Sequence, residues 1–184
     1  MALTMEESAA RAGYHCWFER RMFAVLGGWV QSVPEPAAKL LLDRHSAHHA
    51  WRAAQWWDRL PVLAGVDRDA LVVAPDPATG AFADALADTA TTVARLAGAY
   101  RVALPRLSAA YRAHRSSTSP VTDGPTIRVL DLLGPDVEGD WRDGEVLIQQ
   151  LLTDTAAVEE ASATVGRLEA ILVAGPTPRG RPAG

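Results

Sequence analysis

Three of the chain's five histidines, His45, His48 and His49, fall within five residues of the segment LLDRHSAHHAWRAAQWWDRL at 41–60. On a helix, residues four apart share a face. His45 and His49 therefore project together, on a stripe with Leu42, Ala53, Trp56 and Leu60 that should point into a core. His48 lies about 100° around the helix from His49, at the rim. Two imidazoles on a buried helix face can serve three chemistries. His-x-x-x-His is sound metal-ligand geometry. A neutral imidazole is a proton acceptor for a bound small molecule. The third option is a polar network within the core.

Other polar residues fall on inward faces of their segments. Glu19 lines up with His15, Met22 and Leu26. Tyr100, Tyr111 and His114 break the apolar stripe of a later segment, and Asp140, with Asp136 one turn earlier, breaks another. Burying any of these without a partner is costly. Facing helices lie only about 8–10 Å apart, so such groups can satisfy one another at mid-bundle. We expect Asp140 to pair with an Arg or His inside the bundle. Glu19, His45, His49 and Asp140 form the candidate catalytic set. His15, Tyr100, Tyr111, Trp56 and Asp136 are the candidate ligand-binding residues. If a metal binds, Glu19, His45, His49 and Asp140 are its ligands.

The elements that must position these side chains are helical throughout. Thr4-x-x-Glu7 is a capping-box pattern. It opens a helix near 5–30 whose stripe is Tyr14, Phe18, Met22, Val25 and Trp29. Pro36 suits the first turn of a second helix near 36–60, which Pro61 stops. The connection 61–80 is long for a helix pair. It should cross the bundle from one end to the other or cover a site. A third helix is expected near 80–114, kinked or divided at Pro105. Asp123, with Gly124 and Pro125, begins a fourth near 125–152, interrupted at Gly134 and Pro135. A short fifth helical stretch covers 156–174. These segments make one domain, 1–174, with a disordered tail at 175–184. The fold class read from them is an all-α antiparallel four-helix bundle with a short C-terminal helical addition.

Composition narrows the partners. Eighteen basic and 22 acidic residues leave a formal charge of −4, and no dense basic patch carries interleaved aromatics. We expect no nucleic-acid partner. No run of about 18 apolar residues occurs, so no membrane span is expected. The first residues are acidic and lack the apolar core of a leader, which points to a cytoplasmic protein. The single cysteine, Cys16, sits among large side chains and reads as a packing residue. The bias toward Ala, Arg, Gly and Pro, with one lysine and no asparagine, suggests a high-GC bacterium. Six tryptophans on so small a bundle point to an aromatic-lined pocket or a homodimer surface.

The layout resembles the ferritin-like superfamily. Its members place one Glu on each of two helices and Glu-x-x-His on each of the other two, all facing inward. FERRMFAVLGGW resembles the first helix of that group, with Glu19 at the carboxylate position. DRHSAHHAWRAAQWWDRL resembles the second, with Asp43 and the histidines near the ligand turn. DGPTIRVLDLLGPDVEGDW resembles the fourth, with Val137-x-x-Asp140 where Glu-x-x-His stands. The third helix offers Tyr100 in place of a carboxylate. The resemblance implies a ferritin-like fold, and iron as the cofactor if one is present. The degenerate ligand set leads us to expect no ordinary di-iron centre. The leading expectation is a bundle that holds a small organic molecule in an internal pocket between Glu19, His45, His49, Tyr100 and Asp140. It would act on that molecule by metal-independent acid/base chemistry, as a tailoring enzyme of bacterial specialised metabolism. The alternatives are an atypical iron-dependent oxidase or oxygenase, and a non-catalytic dimeric binding or scaffold bundle.

Overall fold

Thr4 opens the first helix as its spacing predicts. Its hydroxyl accepts from the Glu7 amide while the Glu7 carboxylate accepts from the Thr4 amide, which satisfies two otherwise orphaned donors. The computed structural model describes residues 3–62, 64–65 and 67–174. In it α1 spans Met5–Trp29 and α2 spans Pro36–Trp57. A 3₁₀ turn at Asp69–Leu71 precedes α3, Pro77–Ala87, which Asp76 caps. α4 (Thr92–Ala97), a π-helical segment (Gly98–Ala103) and α5 (Leu104–Ser117) follow without a break, as one rod. α6 (Gly124–Leu151) and α7 (Thr155–Val173) carry Asp123 and Asp154 as N-caps. No strand occurs among the described residues, and none of their helices is long and apolar enough to cross a membrane. The expected disordered tail at 175–184 lies outside the described residues.

The third expected helix, 80–114, is two elements. α3 stops at Ala87, where the Thr89 hydroxyl donates to the Leu86 carbonyl, and Thr91 caps the next helix by accepting from the Ala94 amide. Pro105 neither ends nor divides the rod. It has no N–H and crowds the carbonyl four residues back. The wider π turn just ahead of it absorbs this, with the Leu104 amide bonding to the Ala99 carbonyl. α6 likewise continues as one helix past Gly134 and Pro135.

Contacts at the two ends give the directions. Ser8 at the start of α1 donates to Asp123 at the start of α6, and Arg11 bonds Ser117 at the end of α5. At the opposite end, Arg95 of α4 donates to Ser32, just past α1, and Thr92 donates to Glu35, the N-cap of α2. α1 and α6 therefore run one way, and α2 and the α4–α5 rod run the other. The crossing from α2 to α4 spans the length of the molecule, and it includes α3 as well as the expected connection at 61–80. It runs over the outside of α1 through Arg20–Asp69, Arg21–Asp84 and the Trp29 indole, which donates to the Ala87 carbonyl. A Cβ at Gly13 would lie 2.0 Å from the Leu71 oxygen, so only glycine allows the turn to sit this close. α7 packs outside on α3, α4 and the π segment.

Met22, Leu26, Leu42, Trp56, Leu104, Leu107, Leu133, Val137 and Ile148 belong to one apolar core enclosed by α1, α2, the rod and α6. Each such side chain contributes about 1.5–3 kcal/mol on burial. That core holds the polar groups of the candidate site in place. Cys16 is fully buried within it, its thiol on the Ala53 carbonyl.

Candidate functional site

At the middle of the bundle α2 presents a fully buried arginine, Arg52. Its Nε donates to Glu19 Oε1 on α1 at 3.0 Å. Its Nη1 donates to Asp140 Oδ2 at 2.8 Å and to Asp136 Oδ2 at 2.5 Å, both on α6. Glu19 and Asp140 are buried, whereas the Asp136 side chain is 35% exposed. One cation thus binds three carboxylates from two helices. The sequence reading missed Arg52. It lies three residues after His49 and four before Trp56, on the same inward stripe, and buried carboxylates at mid-bundle need a cation. That requirement was the signal available.

Glu19 collects further donors. Tyr111 on α5 donates its hydroxyl to Oε1 at 2.5 Å and accepts the Trp56 indole N–H at 2.7 Å. The imidazole of His49 donates Nδ1–H to Oε2, with Arg52 Nη2 3.1 Å from the same ring nitrogen. The His49 Nε2 is buried and has no hydrogen-bond partner. Burial pushes the Glu19 carboxyl up. His49 and Arg52, with the hydrogen bonds from His49 and Tyr111, overcome this and hold it below its ordinary value. Burial likewise opposes ionisation of Asp140, but His45, Arg52 and the bond from His48 hold its carboxyl below its ordinary value. The Tyr111 phenol is pushed well up, by burial first and by Glu19 second, so it remains a donor.

A second group adjoins the first through Asp140. His48 Nδ1 lies 2.7 Å from Asp140 Oδ1, with the His48 side chain 38% exposed, at the rim as its phase predicts. His45 is fully buried and stacks on His48. Its Nδ1 shares a hydrogen bond of 2.9 Å with the Tyr100 hydroxyl. Its Nε2 has no hydrogen-bond partner and stands 3.4 Å from Asp140 Oδ1. Burial lowers the His45 imidazole to about 4, so it is neutral near pH 7.

The structure therefore joins Glu19, His49, Tyr111, Trp56, Asp136 and Asp140 in one hydrogen-bonded chain through Arg52. It sets His45 and Tyr100 beside that chain. His15 stands apart. Its Nε2 is 3.1 Å from His114 Nδ1, and it reaches the centre only through ring contacts with Trp56 and Tyr111. Of the six tryptophans, Trp56 and Trp29 are buried, while Trp51 and Trp141 are the most exposed, at 44% and 40%.

The centre does not fit a carboxylate-bridged iron pair. Both oxygens of Glu19 and of Asp140 already accept hydrogen bonds, and the Arg52 charge occupies the space between the two carboxylates. The ligand set Glu19, His45, His49 and Asp140 is divided: Glu19 and His49 bond each other, while His45 and Asp140 gather instead with His48. Surface grooves lie at other places. A cleft of about 230 Å³ between α5 and α6 borders the network at Tyr111 and is also lined by Ser108, Leu130, Gly134, Pro135 and Glu138. No known protein family, curated protein or solved structure matches the chain.

Proposed function

We propose that this chain is a ferritin-like bundle that binds a small organic molecule and moves a proton to or from it without a metal. One observation carries the reading. His49 donates Nδ1–H to a buried carboxylate and keeps an unpartnered Nε2 in the core. A buried polar atom left without a partner costs about 1–3 kcal/mol. A protein tolerates that where a ligand or a transferred proton uses the group. A carboxylate-oriented imidazole is the usual arrangement of a general base.

Other features support the reading. The up-down-down-up order of α1, α2, the rod and α6, with a single long crossover, is the connectivity of ferritin-like bundles. Tyr111 is one of the residues that line the α5–α6 cleft, and its hydroxyl donates to Glu19, which also accepts from His49. A bound molecule in that cleft would meet the network at Tyr111. A tailoring step in bacterial specialised metabolism is the setting this reading implies.

A non-catalytic bundle is the second reading, favoured by the completeness of the carboxylate bonding. Gly134 decides between them. A Cβ there meets nothing within 4 Å and Gly134 lines the cleft, so Gly134→Leu should narrow it from a position with room for a side chain to start. A thermal-shift screen of small organic acids, amines and phenols should find molecules that stabilise the parent and not Gly134→Leu. Turnover of such a molecule should vanish in His49→Gln. A cleft that binds nothing, or binds equally in Gly134→Leu, would leave the structural reading standing.

A further inference from the structure

The rim of the network holds a second arrangement that the proton-transfer reading does not use. Two i,i+3 pairs face each other across antiparallel helices: His45 and His48 on α2, Asp140 and Asp143 on α6. We propose that these four side chains bind one divalent transition-metal ion of the zinc class at the α2–α6 edge.

The donor atoms are already gathered. One ligand atom each from His45, His48 and Asp140 lie within 4.8 Å of one another. His45 Nε2 is 3.4 Å from Asp140 Oδ1 and 3.8 Å from Asp143 Oδ2. Two tetrahedral ligands at zinc distances stand about 3.3 Å apart, so His45 and Asp140 need almost no movement. His48 Nδ1, at 2.7 Å from Asp140 Oδ1, must withdraw slightly, and its half-exposed side chain is free to do so. The decisive atom is His45 Nε2. It belongs to a fully buried residue, has no hydrogen-bond partner and is aimed at the two carboxylates.

The surroundings are those of a supported ligand set. A metal-binding histidine commonly donates its other N–H to an acceptor that fixes the ring. Tyr100 stands at 2.9 Å from His45 Nδ1 for that purpose. The second oxygen of Asp140 is fixed by Arg52 at 2.8 Å, so Oδ1 can turn to the ion once His48 exchanges its hydrogen bond there for the metal. Two imidazoles with carboxylates select zinc-class ions over calcium or magnesium, which take oxygen ligands. One cation competes: Arg44 bonds Asp143 at 2.7 Å. Both partners are more than half exposed, so this pair opens readily. The site shares only Asp140 with the proposed proton path and does not depend on that path.

The test uses the full chain, stripped with a chelator and titrated with Zn²⁺ by calorimetry, with Co²⁺ absorption as a report of coordination. One ion per chain is expected, with the visible bands of a four-coordinate cobalt site. His48→Ala and Asp143→Asn change rim residues that the core does not need, and each should weaken binding at least about tenfold. Arg44→Ala should tighten it by releasing Asp143. Gly134→Leu, which addresses the cleft, should leave it unchanged. Absence of binding, or parental affinity in either His48→Ala or Asp143→Asn, overturns the site.

Discussion

Tyr100 fills the space that a side chain would need at Gly144. A Cβ there would lie 2.1 Å from Tyr100 Cδ1 and 2.2 Å from Cγ. The α6 backbone and the ring are therefore in direct contact, and that contact sets the Tyr100 hydroxyl against His45. Gly144→Ala should force the ring aside and destabilise the protein by about 1–3 kcal/mol, the usual penalty of overpacking. Tyr100→Phe keeps the packing and should cost only about 1 kcal/mol, the net worth of one hydrogen bond. Denaturant midpoints of the two variants check the order. A parental midpoint for Gly144→Ala would show that the ring has room to move.

Arg52 is the residue whose loss the core should tolerate least. Arg52→Met leaves Glu19 and Asp140 buried without their cation, and breaking a buried pair in this way costs about 3–5 kcal/mol. Adding Glu19→Gln should recover part of that loss, because the orphaned charge is then gone. A double-mutant cycle measures the coupling, expected to be at least about 1 kcal/mol. Strictly additive effects would mean that the two side chains do not depend on each other.

The His15–His114 pair gives the protein an acid-sensitive end. Burial holds His114 down to about 4 and His15 well below the ordinary imidazole value of 6.5, with each also disfavoured by the positive charge of Arg11. The folded state therefore binds fewer protons than the unfolded chain between those values. Stability should be full above about pH 6.5 and should fall as pH drops toward 4. Glu19 acts lower, since its depressed carboxyl loses its contribution only below the ordinary 4.5. Chemical unfolding at pH 7, 5.5 and 4.5 reads the first window. His114→Phe should flatten part of the slope, and a parent protein equally stable at all three values would contradict the account.

Much of the centre was legible because one rule governs it. Helical phase alone turns Glu19, His45, His49 and Asp140 inward and leaves His48 at the rim, and all five side chains lie so. Phase also turns Arg52 inward, but arginine is usually a surface residue. Only counting the buried negative charges that need an opposite charge brings it in. The His15–His114 contact joins positions 99 residues apart, and no local pattern in a single sequence encodes such a pairing. The break at 88–91 was signalled by Thr91 three residues ahead of Ala94, a cap that the apolar stripe running through it concealed. Pro105 gave a true warning of irregular backbone, but proline alone does not say whether a helix will bend, stop or widen.

The widened turn ahead of Pro105 has a consequence for chain length. A π turn holds one residue more than the α turn it replaces, while the helix on either side keeps its phase. Positions 98–103 are thus a place where the rod carries a spare residue. Removing one there would let the segment tighten to an ordinary α turn, with α4 still facing α7 and Tyr111 still facing Glu19. The same deletion elsewhere in the rod would rotate everything beyond it by about 100° and turn the core face toward solvent.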